Sequence, residues 1–140
     1  MGAMAHPVMF DDDDPLLARA RRICLALPGA EERVSHGRPW FFTRTGFAVY
    51  GGGVRGDPSS SVDSALLVKA DPQERPALLG EERFFEPTYL WPSGWVGTDL
   101  AREDTDWAEV AELVETSYRL TAPRRLVRQL DAGPAGRPHP

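Results

Sequence analysis

The stretch PWFFTRTGFAVY, residues 39–50, decides the fold class. Pro39-Trp40-Phe41-Phe42-Thr43-Arg44 is aromatic and β-prone, Thr45-Gly46 is a turn dipeptide, and Phe47-Ala48-Val49-Tyr50 is the return run. Two short apolar runs joined through a glycine turn predict a β-hairpin. Outward from it, helical and strand-like segments follow one another without strict alternation, in the order α-βββ-α-ββ-α with a further short helix at the end. That order predicts an α+β domain built on an antiparallel sheet, not a doubly wound α/β fold.

Upstream, Asp14 suits a helix N-cap and Pro15 the first helical position. The helix is expected over 15–27, with Leu16, Ala20, Ile23, Cys24 and Leu27 on one face. Pro28-Gly29 ends it, and ALPGAEERVSHGRPWFF reads as the joint between this helix and the first strand. Downstream, GGGVRGDPSSS at 51–61 predicts a flexible loop, and Val62 to Ala70 a third strand. Asp71 caps a short helix over 71–80; Phe84–Leu90 and Gly94–Asp99 predict two more strands on either side of Trp91-Pro92-Ser93. A long helix is expected from about Asp104, with Trp107, Val110, Ala111, Val114 and Tyr118 as its apolar face. Pro123 breaks it, and 122–130 forms a last short helix. A single domain is thus expected over 11–130, with flexible tails at 1–10 and 131–140.

Composition agrees with one globular core: 140 residues, 41% hydrophobic and 26% charged. No apolar run approaches the roughly 20 residues needed to span a bilayer. No basic segment followed by an apolar core opens the chain. Cys24 is the single cysteine, which excludes an internal disulfide, a four-cysteine zinc site and a CxxC motif, and a reducing, cytoplasmic location is expected. The net charge of -5 is uneven. Residues 1–70 carry 8 basic and 8 acidic groups, 71–116 carry 3 and 12, and 117–140 carry 5 and 1. Non-specific nucleic-acid affinity comes from neutralising phosphates, so an acidic chain needs a local basic patch. The arginines after residue 117 are one.

Few motifs carry chemistry. Glu32, Ser35 and His36 lie within five positions, but adjacent side chains on an extended chain point apart, and no G-x-S-x-G elbow surrounds Ser35. A local Glu32–His36 or His36–backbone bond fixing the start of the strand is the expected arrangement, and no catalytic residue is assigned. His6, His36 and His139 are too far apart for paired zinc ligands, so neither metal nor cofactor is expected. Gly51 to Gly56 matches G-x-G-x-x-G, but no helix follows it to receive a phosphate. Trp91 and Trp95 flank Pro92-Ser93-Gly94 and are candidates for an aromatic pocket. Arg124 and Arg128, four apart, share a helix face and are candidates for phosphate contact or for pairing with the acidic helix.

Five pieces in order, ALPGAEERVSHGRPWFF, GFAVYGGG, ALLVKADPQERPALL, RFFEPTYLWPSGWVGTDL and DWAEVAELVETSYRLTAPRRL, resemble the MmcQ/YjbR family of small bacterial proteins over roughly residues 18–126. The resemblance implies a compact α+β fold similar to that of CyaY, and a DNA-binding label drawn from a double-wing arrangement. Glu32, His36, Pro39, Lys69, Trp95 and Tyr118 stand at the family's recurring motif positions. Many members carry Gly-Lys in the first hairpin turn, where this chain has Thr45-Gly46-Phe47 preceded by Arg44. The resemblance, with the local arginines, implies a non-catalytic DNA-binding module whose wing is the hairpin 39–50. Arg38, Arg44, Arg124, Arg125 and Arg128 would meet phosphate. The alternative is a small-ligand or protein-interaction module using the aromatic surface near Trp91 and Trp95. No membrane partner is expected.

Overall fold

Helix α1, Pro15–Leu25, starts where the sequence predicts. The Asp14 carboxylate accepts from Leu16 N at 2.9 Å, and its second oxygen accepts from the Tyr50 hydroxyl at 2.5 Å. One side chain therefore caps the helix and pins it to the sheet. The structure, a computed structural model, describes residues 8–133. Leu17, Ala20 and Cys24 form the buried face, with Leu16, Ile23 and Leu27 at its margins. The face thus centres on Leu17, which the expected stripe omitted.

The joint after α1 is itself a strand. β1, Glu31–Ser35, pairs antiparallel with β2, Arg38–Phe42, through the two-residue turn His36-Gly37. Both turn residues have positive φ, 54° at His36 and 82° at Gly37, as a type I′ hairpin turn requires. The polar run EERVS gives little strand signal by itself; the turn geometry and pairing to β2 make it one.

The predicted hairpin forms between β2 and β3, Gly46–Val54. The expected loop at 51–61 does not. β3 runs on through Gly51–Val54, turns at Arg55-Gly56, and returns as β4, Asp57–Lys69. The glycines serve close approach across the sheet. A Cβ at Gly51 would run into Arg38 Nη1, one at Gly52 would meet Leu67 Cδ1 at 2.6 Å, and Gly51 also has φ +87°.

α2 is shorter than expected, Arg75–Leu79, after a turn over 72–74. The expected strand 84–90 shrinks to β5, Phe84–Phe85. The chain then bridges to β3 through Val54 and Pro87, and passes a 3₁₀ turn, Trp91–Ser93. β6, Trp95–Asp99, completes a six-stranded antiparallel sheet of order β1-β2-β3-β4-β6-β5. α3, Trp107–Thr121, is capped by Asp106, which accepts from Ala108 N at 3.0 Å. α4, Arg124–Ala132, extends into the expected tail, so residues 131 and 132 are helical. At the other end, Met9 N donates to Gly37 O at 2.9 Å and Phe10 packs on the core, so the expected N-terminal tail is anchored there. Residues 1–7 and 134–140 of the expected tails lie outside the described residues.

The sheet has two unlike faces. One carries the main core, with Phe41, Phe47, Tyr50, Leu66, Val68 and Val96 under α1, α3 and α4. The other carries a smaller cluster of Val49, Ala65, Leu67 and Trp95, flanked by Trp40, Val62, Phe85 and Leu90.

Ser117 and Tyr118 join helix to sheet. Ser117, fully buried, donates to Phe47 O at 2.6 Å and accepts from Lys69 N at 2.9 Å, so it spans β3 and β4. The Tyr118 hydroxyl donates to Pro28 O at 2.6 Å, and its ring meets Phe47 edge-on at 5.5 Å. Arg119 then pairs with Asp131 of α4 at 2.8 Å. Ser117-Tyr118-Arg119, within the last of the five family-like pieces, is thus a clasp holding sheet, joint and last helix. Ala111, expected on the buried face, is exposed, and Ser117 belongs to that face.

Candidate functional site

The proposed phosphate-binding arginines fall into two places. Along β2, side chains alternate: Phe41 enters the main core while Trp40 enters the smaller cluster on the opposite face. Arg38, two residues before Trp40, shares Trp40's face. Its Nη2 pairs with Asp63 Oδ1 at 3.1 Å, its Nη1 is buried without an acceptor, and its side chain is 12% exposed. Arg44 stands exposed in the turn between β2 and β3. Arg124, Arg125 and Arg128 are exposed on α4, whose Leu126 enters the main core and lies against Gly29. Arg38 and the α4 arginines therefore belong to opposite faces of the sheet.

Ion pairing separates them further. Arg38 and six other arginines, from Arg21 to Arg119, pair with carboxylates. Among the described residues, Arg44, Arg124, Arg125 and Arg128 have no such partner. The alternative, pairing of the α4 arginines with the acidic helix, does not form among the described residues. Glu109 is taken by Arg83 at 2.6 Å, an interaction that raises the Arg83 pKa, and Glu115 by Arg119 at 3.2 Å.

The opening acid–serine–histidine set is rearranged. Glu32 receives Arg21 Nε at 2.9 Å and Nη2 at 2.9 Å, so the expected Glu32–His36 bond is replaced by an ion pair from β1 to α1. That hydrogen bond leads the causes raising the Arg21 pKa. Ser35 Oγ and His36 Nδ1 do meet, at 3.0 Å, because the turn takes His36 out of extended geometry. Two further motif positions, Pro39 and Trp95, lie in the interior. Pro39 is buried in β2, and Trp95 is buried against Trp40 with ring centroids 6.2 Å apart. Cys24 is buried, and that burial, then the Glu32 charge, pushes its thiol pKa up, away from nucleophilic use. Among the described residues, no three His, Cys, Asp or Glu side chains cluster as metal ligands. No helix there is long and apolar enough to cross a membrane.

A second place was not legible in the sequence. Lys69, at the end of β4, lines a cleft with Arg75, Trp91 and Pro92. Arg55 lies over the Trp91 ring at 3.4 Å and pairs with Glu86 at 3.0 Å, and Arg75 pairs with the other Glu86 oxygen at 3.0 Å. Residues 55, 75, 86 and 91 follow no local pattern; the β3–β4 turn and the segment after β5 bring them together. Trp91 was singled out in sequence, but paired with Trp95. Trp95 instead belongs to the cluster around Val49 and Leu67.

A family model described as YjbR matches residues 25–120. Among solved structures, the chain is similar to the crystal structure of Deinococcus radiodurans protein DR2400, described with the domain DUF419. That match has 17% identity and a TM-score of 0.59, and covers 88% of this chain and 95% of the other. At that identity the likeness is one of fold. A comparison with curated proteins gave no match.

Proposed function

The chain belongs to the YjbR family, and from that premise we propose that it is a non-catalytic module that binds DNA through the phosphate backbone. The observation that carries this reading is α4. Arg124, Arg125 and Arg128 project from it, exposed and without carboxylate partners among the described residues. An unpaired guanidinium gives up no existing ion pair on meeting a phosphate and matches its oxygens two at a time. Arg44, at the tip of the β2–β3 wing, is a second point of contact. Arg38 would have to leave Asp63 first, so its part is to brace the wing from the far side of the sheet.

The charge distribution supports an oriented encounter. The region 71–116, with 3 basic and 12 acidic groups, repels the duplex while the C-terminal arginines attract it. The test is duplex-DNA binding followed by anisotropy across a salt series. Wild type is expected to show log K falling linearly with log salt, and the triple variant R124A/R125A/R128A to lose about 0.9 of slope per lost contact. Undetectable binding at low salt, or the same slope in both proteins, overturns the proposal.

A further inference from the structure

The cleft beside Lys69 has a volume of about 310 Å³, the lower end of the roughly 300–1,000 Å³ range of small-ligand pockets. Its walls are flat and apolar: the Trp91 indole with Pro72, Pro76 and Pro92. Its charge is not. Arg55 and Arg75 share one carboxylate, Glu86, at 3.0 Å each. Lys69, the sole lysine of the chain, has no ion pair among the described residues. Lys69 and Arg75 are the charged residues that line this cleft and no carboxylate lines it, while Asp71, Glu74, Glu109 and Glu112 line an adjoining hollow that shares Lys69.

The cations are held in place. Arg75 Nη2 donates to Glu86 and, at 3.2 Å, to Trp91 O, and its Nε is buried without an acceptor. Arg55, at 3.4 Å over the indole, stiffens the aromatic wall. A partly desolvated guanidinium with an unused donor projects more positive potential into a cleft than a hydrated surface arginine does.

We propose that this cleft binds a small organic anion, a carboxylate or phosphate carrying a flat apolar body. The anionic head lies between Lys69 and Arg75, and the body lies on Trp91 and the prolines. The site is independent of α4 and of the nucleic-acid reading.

The full chain is titrated with phenylacetate, phenyl phosphate, inorganic phosphate and neutral 2-phenylethanol, following tryptophan fluorescence and the melting temperature. At least one aryl anion is expected to saturate and to raise the melting temperature as RT ln(1 + [L]/Kd) requires. It should bind about tenfold or more tighter than the neutral alcohol, because the charge-assisted contact is lost in the alcohol. Inorganic phosphate is expected to bind more weakly than phenyl phosphate, since it lacks the body that meets Trp91. The two aryl anions, compared with each other, identify the preferred head group.

Lys69→Gln removes a cation that makes no ion pair, so its fold is expected to persist; it should weaken the aryl anion about tenfold, and Lys69→Arg should restore much of the loss. Trp91→Phe should abolish most of the fluorescence response. The proposal is overturned by equal affinity for alcohol and anion, by unchanged affinity in Lys69→Gln, or by no saturable response to either aryl anion at concentrations up to about 10 mM, beyond the weak limit expected of such pockets.

Discussion

At the scale of single residues, Ser117 and Tyr118, within the last of the five family-like pieces, hold helix to sheet and joint. Ser117 satisfies Phe47 O and Lys69 N at once from inside the main core. Ser117→Ala leaves both backbone groups buried and unpaired, and the expected loss is about 1–3 kcal/mol in a denaturant titration; a change within error of zero would show that water replaces the hydroxyl. The spacing 110, 114, 117, 118 already put Ser117 on the apolar face of α3, a signal the sequence held and a hydrophobic count passes over. His36 has φ 54°, which a β-branched side chain adopts only at a cost. His36→Val is therefore expected to destabilise the β1–β2 hairpin by about 1–2 kcal/mol, and His36→Asn to be near neutral, since asparagine suits a type I′ turn. Equal melting temperatures for the two variants would remove the turn from the account.

At the scale of elements, hairpins were legible where apolar runs flanked a turn, and strands were lost where the run was polar or glycine-rich. β2 and β3 announce themselves through Trp40-Phe41-Phe42 and Phe47-Ala48-Val49. β1 is polar at an edge, and the Gly51–Gly53 run looks like a loop until its neighbours across the sheet are known. β6 makes the same point. A Cβ on Gly97 would lie 2.5 Å from Phe85 Cζ and 2.8 Å from Leu67 Cδ2. Gly97→Ala should push Phe85 off the smaller cluster and destabilise by about 1–3 kcal/mol, with Phe85→Ala in the same chain recovering part of the difference as a non-additive pair. Strict additivity of the two changes would mean that the clash is relieved elsewhere. α4 is the element on which the proposed function rests. Its outer face carries arginines and its inner face Leu126, Val127 and Leu130, so its charge can be changed without disturbing its packing.

At the scale of the whole molecule, pH tests how tightly α1 is bound to the sheet. Tyr50 is 1% exposed; burial, then its hydrogen bond to Asp14, raises its pKa, and burial raises that of Cys24. Groups raised in the folded state bind protons more tightly there. Stability is therefore fully present below their unfolded pKa values, about 8.5 for cysteine and 10 for tyrosine, and falls as pH rises above them. Alkaline unfolding is expected to begin in that window, with the fall near neutral pH absent. Cys24→Ala should flatten its lower part, whatever it does to stability at pH 7. A stability curve that stays level through pH 11 in the wild type contradicts the burial of both groups. By itself, the sequence determined the α+β class, the order of its main elements, the helix start at Asp14, that of the long helix to within three residues, and the family, because caps, periodicity and turn residues act within a few positions of one another. Only the tertiary structure decided that Arg38 and the α4 arginines lie on opposite faces, that Glu32 goes to Arg21, and that Arg55, Arg75, Glu86 and Trp91 meet beside Lys69. Those outcomes depend on strand register and on which face each side chain takes, and both are settled by pairing between segments far apart in the chain.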